Sequence, residues 1–373
     1  ASAAVTGGND RLVAEPASVR RALDVRGEVR LGFAGLGYWG PNLLRNAYEL
    51  EDVAVVAACD PDARALERHG RRYPHVELTG DFDDLLGEGL DALVLATPIA
   101  THFELARRAL LAGKHVLVEK PLAATVREAA QLRRLADERG LVVMPGHTFL
   151  YSPAVLAIKR MLDAGELGGV HFATSSRVNL GIHQRDNSVV RDLAPHDFSI
   201  LTYWMGQADF VRAIGRDAIV ADVVDVAFID IGYPDGCLAR LDVSWLAPTK
   251  LRRTVLVGER KMVVYEDTSP EPVRVFDRRV EQLEPETFGE FQLSYRTGDI
   301  VTPRLDVAEP LRLELADFIE AVRSGKRPRS HIELGVEVVR MVEAAEASLA
   351  SRGAAIAVAS LQPAAPRLSR ASD

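Results

Sequence analysis

Lys120 is the residue of this sequence whose surroundings most clearly indicate chemistry, because it stands between Glu119 and Pro121, directly after the apolar run at residues 115–118. A short apolar run bounded by turn residues predicts a buried parallel strand, and a residue before proline is held extended. Ligands of open α/β sheets bind outside the carboxyl ends of the strands, so a lysine at this point is placed to act on one. A strand-end lysine that only reaches solvent is the alternative, and Lys120 by itself does not decide between them.

A second candidate pair is Asp192 and His196, which stand four residues apart ahead of the apolar segment at residues 198–204. Asp192 has the signature of a helix N-cap, and Pro195 is acceptable in a first turn. Residues four apart lie on one face of a helix, so the carboxylate and the imidazole can act together. The alternative is structural: Asp192 only caps the helix, and His196 only packs in its first turn.

The elements that must position these groups begin with a strand at residues 29–34 that runs into a glycine-rich turn. The turn matches the pattern G-x-G-x-x-G and contains Gly35, Gly37, Tyr38, Trp39 and Gly40. Between a strand and a helix this pattern predicts dinucleotide binding, since the glycines allow a tight turn and let the backbone approach a pyrophosphate. A helix over residues 41–47 would direct its N-terminus at the phosphates.

Asp60 ends a second predicted strand, residues 53–59, about twenty residues beyond the last glycine. An acidic residue there accepts hydrogen bonds from the adenosine ribose and repels a 2′-phosphate, so we predict NAD rather than NADP as the cofactor. Arg64 lies close enough to weaken this preference. A plain turn role for Asp60 is the alternative.

Further strands are predicted at residues 75–79, 91–96, 115–118 and 141–144, separated by helical segments. This alternation predicts βαβ units and a doubly wound parallel sheet, in which the carboxyl ends of the strands share one edge. The residues that follow these strands should therefore converge: Gly35, Asp60, Thr97, Lys120 and His147.

The glycine-rich turn, Thr97-Pro98 with His102 four residues on, and Glu119-Lys120-Pro121 together resemble the glucose–fructose oxidoreductase/inositol dehydrogenase (Gfo/Idh/MocA) family, over residues 29 to about 355. The resemblance implies hydride transfer between NAD and a secondary alcohol carbon of a sugar, cyclitol or related polyol. It implies a second domain built on a large open sheet, and a functional Asp–His pair four residues apart. It also implies cofactor contacts from the Gly-rich turn, Asp60, Thr97, Pro98, His102 and Glu119.

Within this resemblance each catalytic candidate has a role. His196 suits the general acid/base, because imidazole titrates near neutral pH. Lys120 would orient and polarise the substrate oxygen, or act as the base itself if burial neutralised it, so the two roles stay exchangeable. Asp192 would bind a neighbouring hydroxyl and help to hold the imidazole.

Substrate recognition is expected from polar residues near these groups, namely His147, Tyr151, Arg177, Asn179 and Asn187, with His183, Gln184, Arg185 and Arg191 beside them. Amides and imidazoles suit hydroxyl groups, and arginine suits phosphate or carboxylate, although exposed polar side chains are commonly just solvated. His147 followed by Tyr151-Ser152-Pro153 departs from the pattern of many inositol and glucose dehydrogenases. It resembles a subgroup that acts on nucleotide-sugars or modified cyclitols.

Length and composition fit two globular domains, with 373 residues, of which 47% are hydrophobic. We predict a flexible extension at 1–28, a Rossmann domain at 29–150, an α+β substrate-binding and oligomerisation domain at 151–355, and a tail at 356–373.

A net charge of −8 without a basic block argues against nucleic acid as a partner. Two cysteines support neither a disulfide framework nor a metal site. The absence of a long apolar run or secretory signal predicts a cytoplasmic protein without a membrane span.

The second domain is predicted to contain a large, mostly antiparallel open sheet. A hairpin turning at Asp235-Gly236 and strands over 251–265 and 273–276 supply it, and helices follow over 308–324 and 332–352. The resemblance implies that these late helices return to the first domain. A sheet covered by helices on one face leaves the other open, and we expect Val243, Trp245 and Val255 to need cover there. A homodimer or homotetramer through that face follows.

Two other functions share this cofactor architecture. An NAD-dependent glycosidase oxidises transiently, cleaves the sugar and reduces it again, with no net NADH. A dinucleotide-bound sensor or scaffold is not catalytic, and the presence of Lys120, Asp192 and His196 argues against it.

Overall fold

The computed structural model describes residues 27–181, 187–283 and 292–361. The first domain contains six strands, β1 (Val29–Ala34), β2 (Val53–Cys59), β3 (Glu77–Thr79), β4 (Ala92–Leu95), β5 (His115–Glu119) and β6 (Val143–Gly146). Four helices alternate with them, α1 (Gly40–Tyr48), α2 (Ala63–Arg72), α3 (Ile99–Leu111) and α4 (Val126–Arg139). The strands form one parallel sheet in the order β3-β2-β1-β4-β5-β6. This doubly wound order confirms the predicted fold class, and it gathers the carboxyl ends of the strands at one edge.

Two strand boundaries differ from the prediction for local reasons. β6 begins at Val143 rather than at Leu141, because the Leu141 N–H bonds to the carbonyl of Ala136 and finishes the turn that ends α4. β3 begins at Glu77, because Val76 still belongs to a turn in which its N–H bonds to Tyr73.

The second domain is built on a nine-stranded sheet. Its strands are β7 (Val170–Leu180), β8 (Phe210–Arg216), β9 (Val226–Gly232), β10 (Leu238–Ser244), β11 (Leu246–Gly258), β12 (Met262–Glu266), β13 (Val273–Leu283), β14 (Gln292–Val301) and β15 (Ile356–Ala357). They lie in the order β14-β13-β12-β11-β7-β10-β9-β8-β15, and every pair except β7–β10 is antiparallel. The large, mostly antiparallel sheet is therefore confirmed. Residues 356–361, which the sequence assigned to a tail, instead form β15 and a 3₁₀ turn.

Helices α5 (Pro153–Asp163), α6 (Val189–Met205), α7 (Pro310–Ser324) and α8 (Ile332–Ala350) complete the second domain. The last two reach back to the first domain, as predicted. Glu309, which precedes α7, accepts hydrogen bonds from Arg45 and Asn46 of α1. Glu343 of α8 accepts one from the N–H of Val126 at the start of α4. Among the described residues no helix has the length and apolar character needed to cross a bilayer.

The covered and open faces of the second sheet differ in part from the expectation. Val255 does lie on the open face, where it is partly exposed and pairs with the exposed Thr174 of β7. Val243 and Trp245 are buried at 0% and 1% exposure, so they belong to the core and need no partner. Phe172 and Phe228 instead lie on the open face, 44% and 38% exposed. Strand alternation explains the error, since a run of apolar residues does not reveal which of its two faces the helices cover.

Candidate active site

The glycine-rich turn between β1 and α1 forms a tight loop, as predicted. Gly35 adopts φ +95°, and a Cβ on it would lie 2.4 Å from the carbonyl oxygen of Ala96. A Cβ on Gly40 would lie 1.8 Å from the carbonyl oxygen of Gly35, whereas one on Gly37 would meet nothing within 4 Å. Gly35 and Gly40 therefore pack the turn closely, and Gly37 leaves its outer side open for a phosphate.

Asp60 follows β2 and bonds to this turn. Its Oδ2 accepts a hydrogen bond from the N–H of Leu36 at 2.6 Å, and its Oδ1 accepts one from the N–H of Asp62 at 2.8 Å. Asp60 thus has a role in the turn, and its contact with the ribose stays a prediction. A carboxylate oxygen has more than one lone pair, so the same group can also bind ribose hydroxyls.

Lys120, at the end of β5, reaches across to the second domain. Its Nζ donates to the backbone carbonyl of Asp192 at 2.9 Å and lies 3.4 Å from Asp192 Oδ1. The indole Nε1–H of Trp245 donates to the other carboxylate oxygen of Asp192 at 3.2 Å. Two of the predicted catalytic groups, on separate domains, therefore meet at the edge where the parallel strands end.

Helix α6 starts earlier than predicted. Ser188 is its N-cap, with the side chain accepting a hydrogen bond from the N–H of Arg191, and Val189 is its first residue. Asp192 is therefore in the first turn and not at the N-cap, and Pro195 lies inside the helix. Because Asp192 is not used for capping, its carboxylate is available to Lys120 and Trp245.

His196 lies one turn after Asp192, partly buried, with its ring packed edge-on against Phe149 at 5.0 Å between centroids. Its Nδ1 is buried and has no hydrogen-bond partner among the described residues. Burial, followed by the charges of Lys120 and Arg177, holds the pKa of His196 well below its usual value. The neutral form of the imidazole, which is the form that can accept a proton, is therefore favoured.

His147 stands directly after β6 and is 1% exposed. Burial, and then the charge of Lys120, lowers its pKa to about 3. Neither ring nitrogen has a partner in the part of the chain that the structure describes. The pKa values of both imidazoles are thus lowered, and the charge of Lys120 contributes to each shift.

Residues 29–147 match the oxidoreductase family with an NAD-binding Rossmann fold, GFO_IDH_MocA, and residues 155–264 match the GFO/IDH/MocA C-terminal domain. The chain belongs to the Gfo/Idh/MocA family. The first matched segment carries the glycine-rich turn, Asp60 and Lys120, and it is an NAD-binding domain. The predicted family, cofactor and class of enzyme, an oxidoreductase, are thereby confirmed.

Individual relatives differ in what they do. The UDP-N-acetylglucosamine 3-dehydrogenase of Acidithiobacillus ferrooxidans is 31% identical over 232 residues, which cover 60% of this chain and 70% of that protein. Glycosyl hydrolase family 109 protein 2 of a Shewanella species is 32% identical over 151 residues, 38% of this chain and 33% of that protein. The crystal structure of GenD2 from gentamicin A biosynthesis, in complex with NAD, shares the fold at a TM-score of 0.74 and 24% identity, covering 88% of this chain and 96% of that one.

His102 was predicted to contact the cofactor, but the structure places it in the protein interior. It is 1% exposed, and its ring nitrogens lie 2.8 Å from the carbonyl oxygens of Thr97 and Pro121. The ring therefore joins the Thr97-Pro98 turn to the residue after Lys120. We correct its role from a cofactor contact to a positioning residue, because no part of the ring remains for a ligand.

Tyr38 and Trp39 are the exposed members of the glycine-rich turn, at 84% and 46%. Their rings contact each other edge to face at 5.4 Å between centroids. This exposure leaves both available to a cofactor, and their predicted contact with it stays a prediction.

Glu119 is buried beside Lys120, and its Oε2 accepts the Lys120 N–H at 3.1 Å. Burial raises its pKa to about 7, although Lys120 opposes the shift. Glu314 of α7, which the sequence did not single out, is fully buried, and burial and then Glu119 raise its pKa well above its usual value. Thr148 donates to its Oε2 at 2.8 Å. A buried acidic pair therefore lies beneath Lys120.

Of the predicted substrate residues placed here, Tyr151 belongs to the core, whereas Arg177, Asn179 and Asn187 stay candidates. Tyr151 is fully buried. Its hydroxyl donates to Asp317 of α7 at 2.7 Å and accepts from the N–H of Ser330 just before α8, so it joins α7 to that segment and we remove it from the substrate set. Arg177 lies on the covered face of β7 and pairs with Asp197, the neighbour of His196. Asn179 is on the same strand, and Asn187 precedes α6, both partly exposed. His183, Gln184 and Arg185 lie outside the described residues.

Phe149, Trp245 and Arg252 border the site but were not predicted to do so. Each depends on a contact with a distant part of the chain, so single-sequence patterns carried no signal for them. A cavity of about 740 Å³ lies between the β11–β12 turn and strands β13 and β14, and none of the predicted site residues lines it. Its position in the second domain separates it from the converging strand ends.

Proposed function

We propose that this chain is an NAD-dependent dehydrogenase or ketoreductase that transfers a hydride between nicotinamide and a secondary alcohol or ketone carbon of a sugar, nucleotide-sugar or cyclitol. The observation that carries the proposal is the bridge between Lys120 and Asp192, one turn before His196, at the edge of an NAD-binding sheet. Alcohol oxidation requires that the hydroxyl lose its proton and that negative charge on its oxygen be stabilised. A neutral base beside a positive charge suits both.

The residues divide that work by chemistry. NAD, when bound, supplies the hydride acceptor. Lys120 holds the substrate oxygen and stabilises negative charge on it, and Asp192 fixes the lysine and binds a neighbouring hydroxyl. His196 accepts the hydroxyl proton at Nε2, since its Nδ1 is sealed in the protein interior.

The substrate class within this function is supported by resemblance. We propose a nucleotide-sugar or modified cyclitol, since the UDP-N-acetylglucosamine 3-dehydrogenase is among the relatives and matches 60% of this chain.

The test is the absorbance of reduced nicotinamide with purified protein, NAD or NADP, and a panel of cyclitols, sugar phosphates and nucleotide-sugars. NADH should form with one substrate class and vanish in His196→Asn. His171→Asn is the matched control, because His171 is an exposed histidine of β7. Full turnover by His196→Asn would contradict the assignment.

A redox-assisted glycosidase is the second candidate, since a glycosyl hydrolase shares 32% identity with part of this chain. Its readout in the same panel is sugar release from a glycoside without net NADH. A dinucleotide-bound sensor would bind NAD and show neither.

Assembly and location complete the proposal. We propose a homodimer or homotetramer that buries the open face of the second sheet, which carries the exposed Phe172 and Phe228. We propose a cytoplasmic location, which the free, buried Cys59 and Cys237 fit, because disulfides are rare there. Fractionation of the native host would test the location.

A further inference from the structure

Two arginines stand side by side on the covered face of the second sheet. Arg177 of β7 is the direct cross-strand partner of Arg252 of β11. Both guanidinium carbons lie over the ring of Phe149, at 4.5 and 5.4 Å from its centroid. Like charges directly opposite each other on neighbouring strands destabilise a sheet, so this pair requires negative charge nearby.

Two carboxylates of the fold balance the two positive charges, but the described residues leave most of the N–H donors of the arginines unused. Arg177 donates from Nε to Asp197, and Arg252 donates from Nη1 to Asp267 at 3.1 Å. A guanidinium has five N–H donors, and the described residues accept one hydrogen bond from each of the two guanidinium groups. Nη1 of Arg177 is buried and has no partner there. Arg252 is 32% exposed, so its remaining donors are open to a ligand.

The arginines also adjoin the candidate base. Phe149, which both of them overlie, packs edge-on against His196. After burial, the strongest influences on His196 come from basic groups, among them Lys120, Arg177 and Arg252. An anion bound by the arginines would therefore lie close to the candidate base.

We propose that Arg252, supported by Arg177, binds an anionic substituent, a carboxylate or a phosphate, attached directly to the sugar or cyclitol ring of the substrate. The planar guanidinium fork matches either group, and a partly desolvated site strengthens the contact. This specificity site deepens the proposed dehydrogenase function and relies on it for the identity of the ring. The bound anion would also offset the positive charge around His196 and strengthen that residue as a base.

The first experiment measures binding without turnover. The NADH-loaded protein is titrated calorimetrically with glucose, glucuronate, glucose 1-phosphate and UDP-glucose, which differ in the anion on one ring. At least one anionic sugar should bind about tenfold to a hundredfold more tightly than glucose, the range for hydrogen bonds to charged groups. Tighter binding of glucuronate would indicate a carboxylate, of glucose 1-phosphate a phosphate, and of UDP-glucose a nucleotide diphosphate.

Variants then assign the preference. Arg252→Met should reduce the anionic-to-neutral affinity ratio to about one, and Arg252→Lys should restore part of it. Arg253→Met is the matched control, because Arg253 is the next residue of β11 and is exposed on the opposite face. Equal binding of all four sugars, no binding of any, or an unchanged ratio in Arg252→Met would overturn the proposal.

Measurements of turnover distinguish a failure of the anion site from a failure of the proposed dehydrogenase activity. An anionic preference in binding, with no NADH formed from any sugar, would contradict the dehydrogenase and leave the anion site standing. NADH formed from neutral and anionic sugars at equal kcat/KM would support the dehydrogenase and reject the anion site.

Discussion

At the scale of single residues, the chemistry of this protein depends on how Lys120 is held. Its ammonium is shared between a backbone carbonyl and a carboxylate of Asp192, and Trp245 holds that carboxylate from the other side. Fixing a charged group in advance removes the cost of ordering it during the reaction. The network therefore places one positive charge where a substrate oxygen can meet it.

Lys120→Ala should lose at least about a hundredfold in turnover, the lower end of acid–base contributions, while NAD still binds. Steady-state kinetics and fluorescence titration with NADH would measure the two effects. Lys159→Ala, which removes a lysine from α5 remote from the strand ends, is the control. Turnover near that of the unchanged protein would show that Lys120 is only a solvated strand-end lysine.

At the scale of elements, the β1–α1 turn and the β5–β6 pair set the geometry of the site. The turn depends on glycine for different reasons at different positions, as the contacts of a Cβ at Gly35 and Gly37 show. In the β5–β6 pair, the N–H of Val142 donates to Nδ1 of His115 at 2.9 Å, which only an unprotonated nitrogen can accept. The glycine turn and the His115 contact each lead to a separate prediction, one about the fit of the turn and one about the dependence of stability on pH.

Gly35→Ala should reduce the free energy of unfolding by roughly 1–3 kcal/mol, because the left-handed backbone and the contact with Ala96 both oppose a side chain. Gly37→Ala should stay within about 0.5 kcal/mol of the parent. It should nevertheless weaken NAD binding, since its methyl group points where the phosphate would approach. Urea denaturation and NADH titration of both variants would separate the two effects, and equal losses of stability would contradict the structure.

His115 should make the protein less stable in acid. Burial lowers its pKa from 6.5 to about 4, so the unfolded chain takes up the proton first as the pH falls. The stability is complete above pH 6.5 and decreases toward pH 4, by roughly 3 kcal/mol in total.

His115→Asn keeps an acceptor for the N–H of Val142 and does not titrate. Its free energy of unfolding, measured by denaturant titration, should therefore fall less between pH 7 and pH 4.5 than that of the parent. Parallel pH dependences in the two proteins would show that His115 is not the titrating group.

At the scale of the whole molecule, two domains share one site, and one sheet face lacks cover. Lys120 comes from the first domain, and Asp192 and His196 come from the second, so the site exists only when the domains are docked. Helices α7 and α8 fix that docking through Glu309 and Glu343. The open face of the nine-stranded sheet lies on the side opposite α6, so association there would leave the site accessible.

Phe172→Glu should shift the protein to a smaller assembly, because a carboxylate on the open face would be buried without a partner in a dimer. Light scattering coupled to size-exclusion chromatography would measure the mass. Leu111→Glu, a change at the exposed end of α3, is the control and should leave the mass unchanged. A monomeric parent protein would reject the proposed assembly.

Local sequence patterns were sufficient for the first domain. Short apolar runs, the spacing of Gly35, Gly37 and Gly40, and the proline after Lys120 specify strands, turns and their order, because each depends on neighbours along the chain. They also placed Asp192 and His196 on one helix, although not the residue at which that helix begins. The family and the NAD-binding domain follow from the same features.

Only the tertiary structure decided which side chains meet. The Lys120–Asp192 bridge, its support by Trp245 and the pairing of Arg177 with Arg252 all join residues more than fifty positions apart. The burial of Tyr151 and His102, which removed both from the predicted contacts, also depends on packing between elements. Strand register and domain docking create these contacts, and the energies that choose them arise from burial across the whole fold, which no local pattern records.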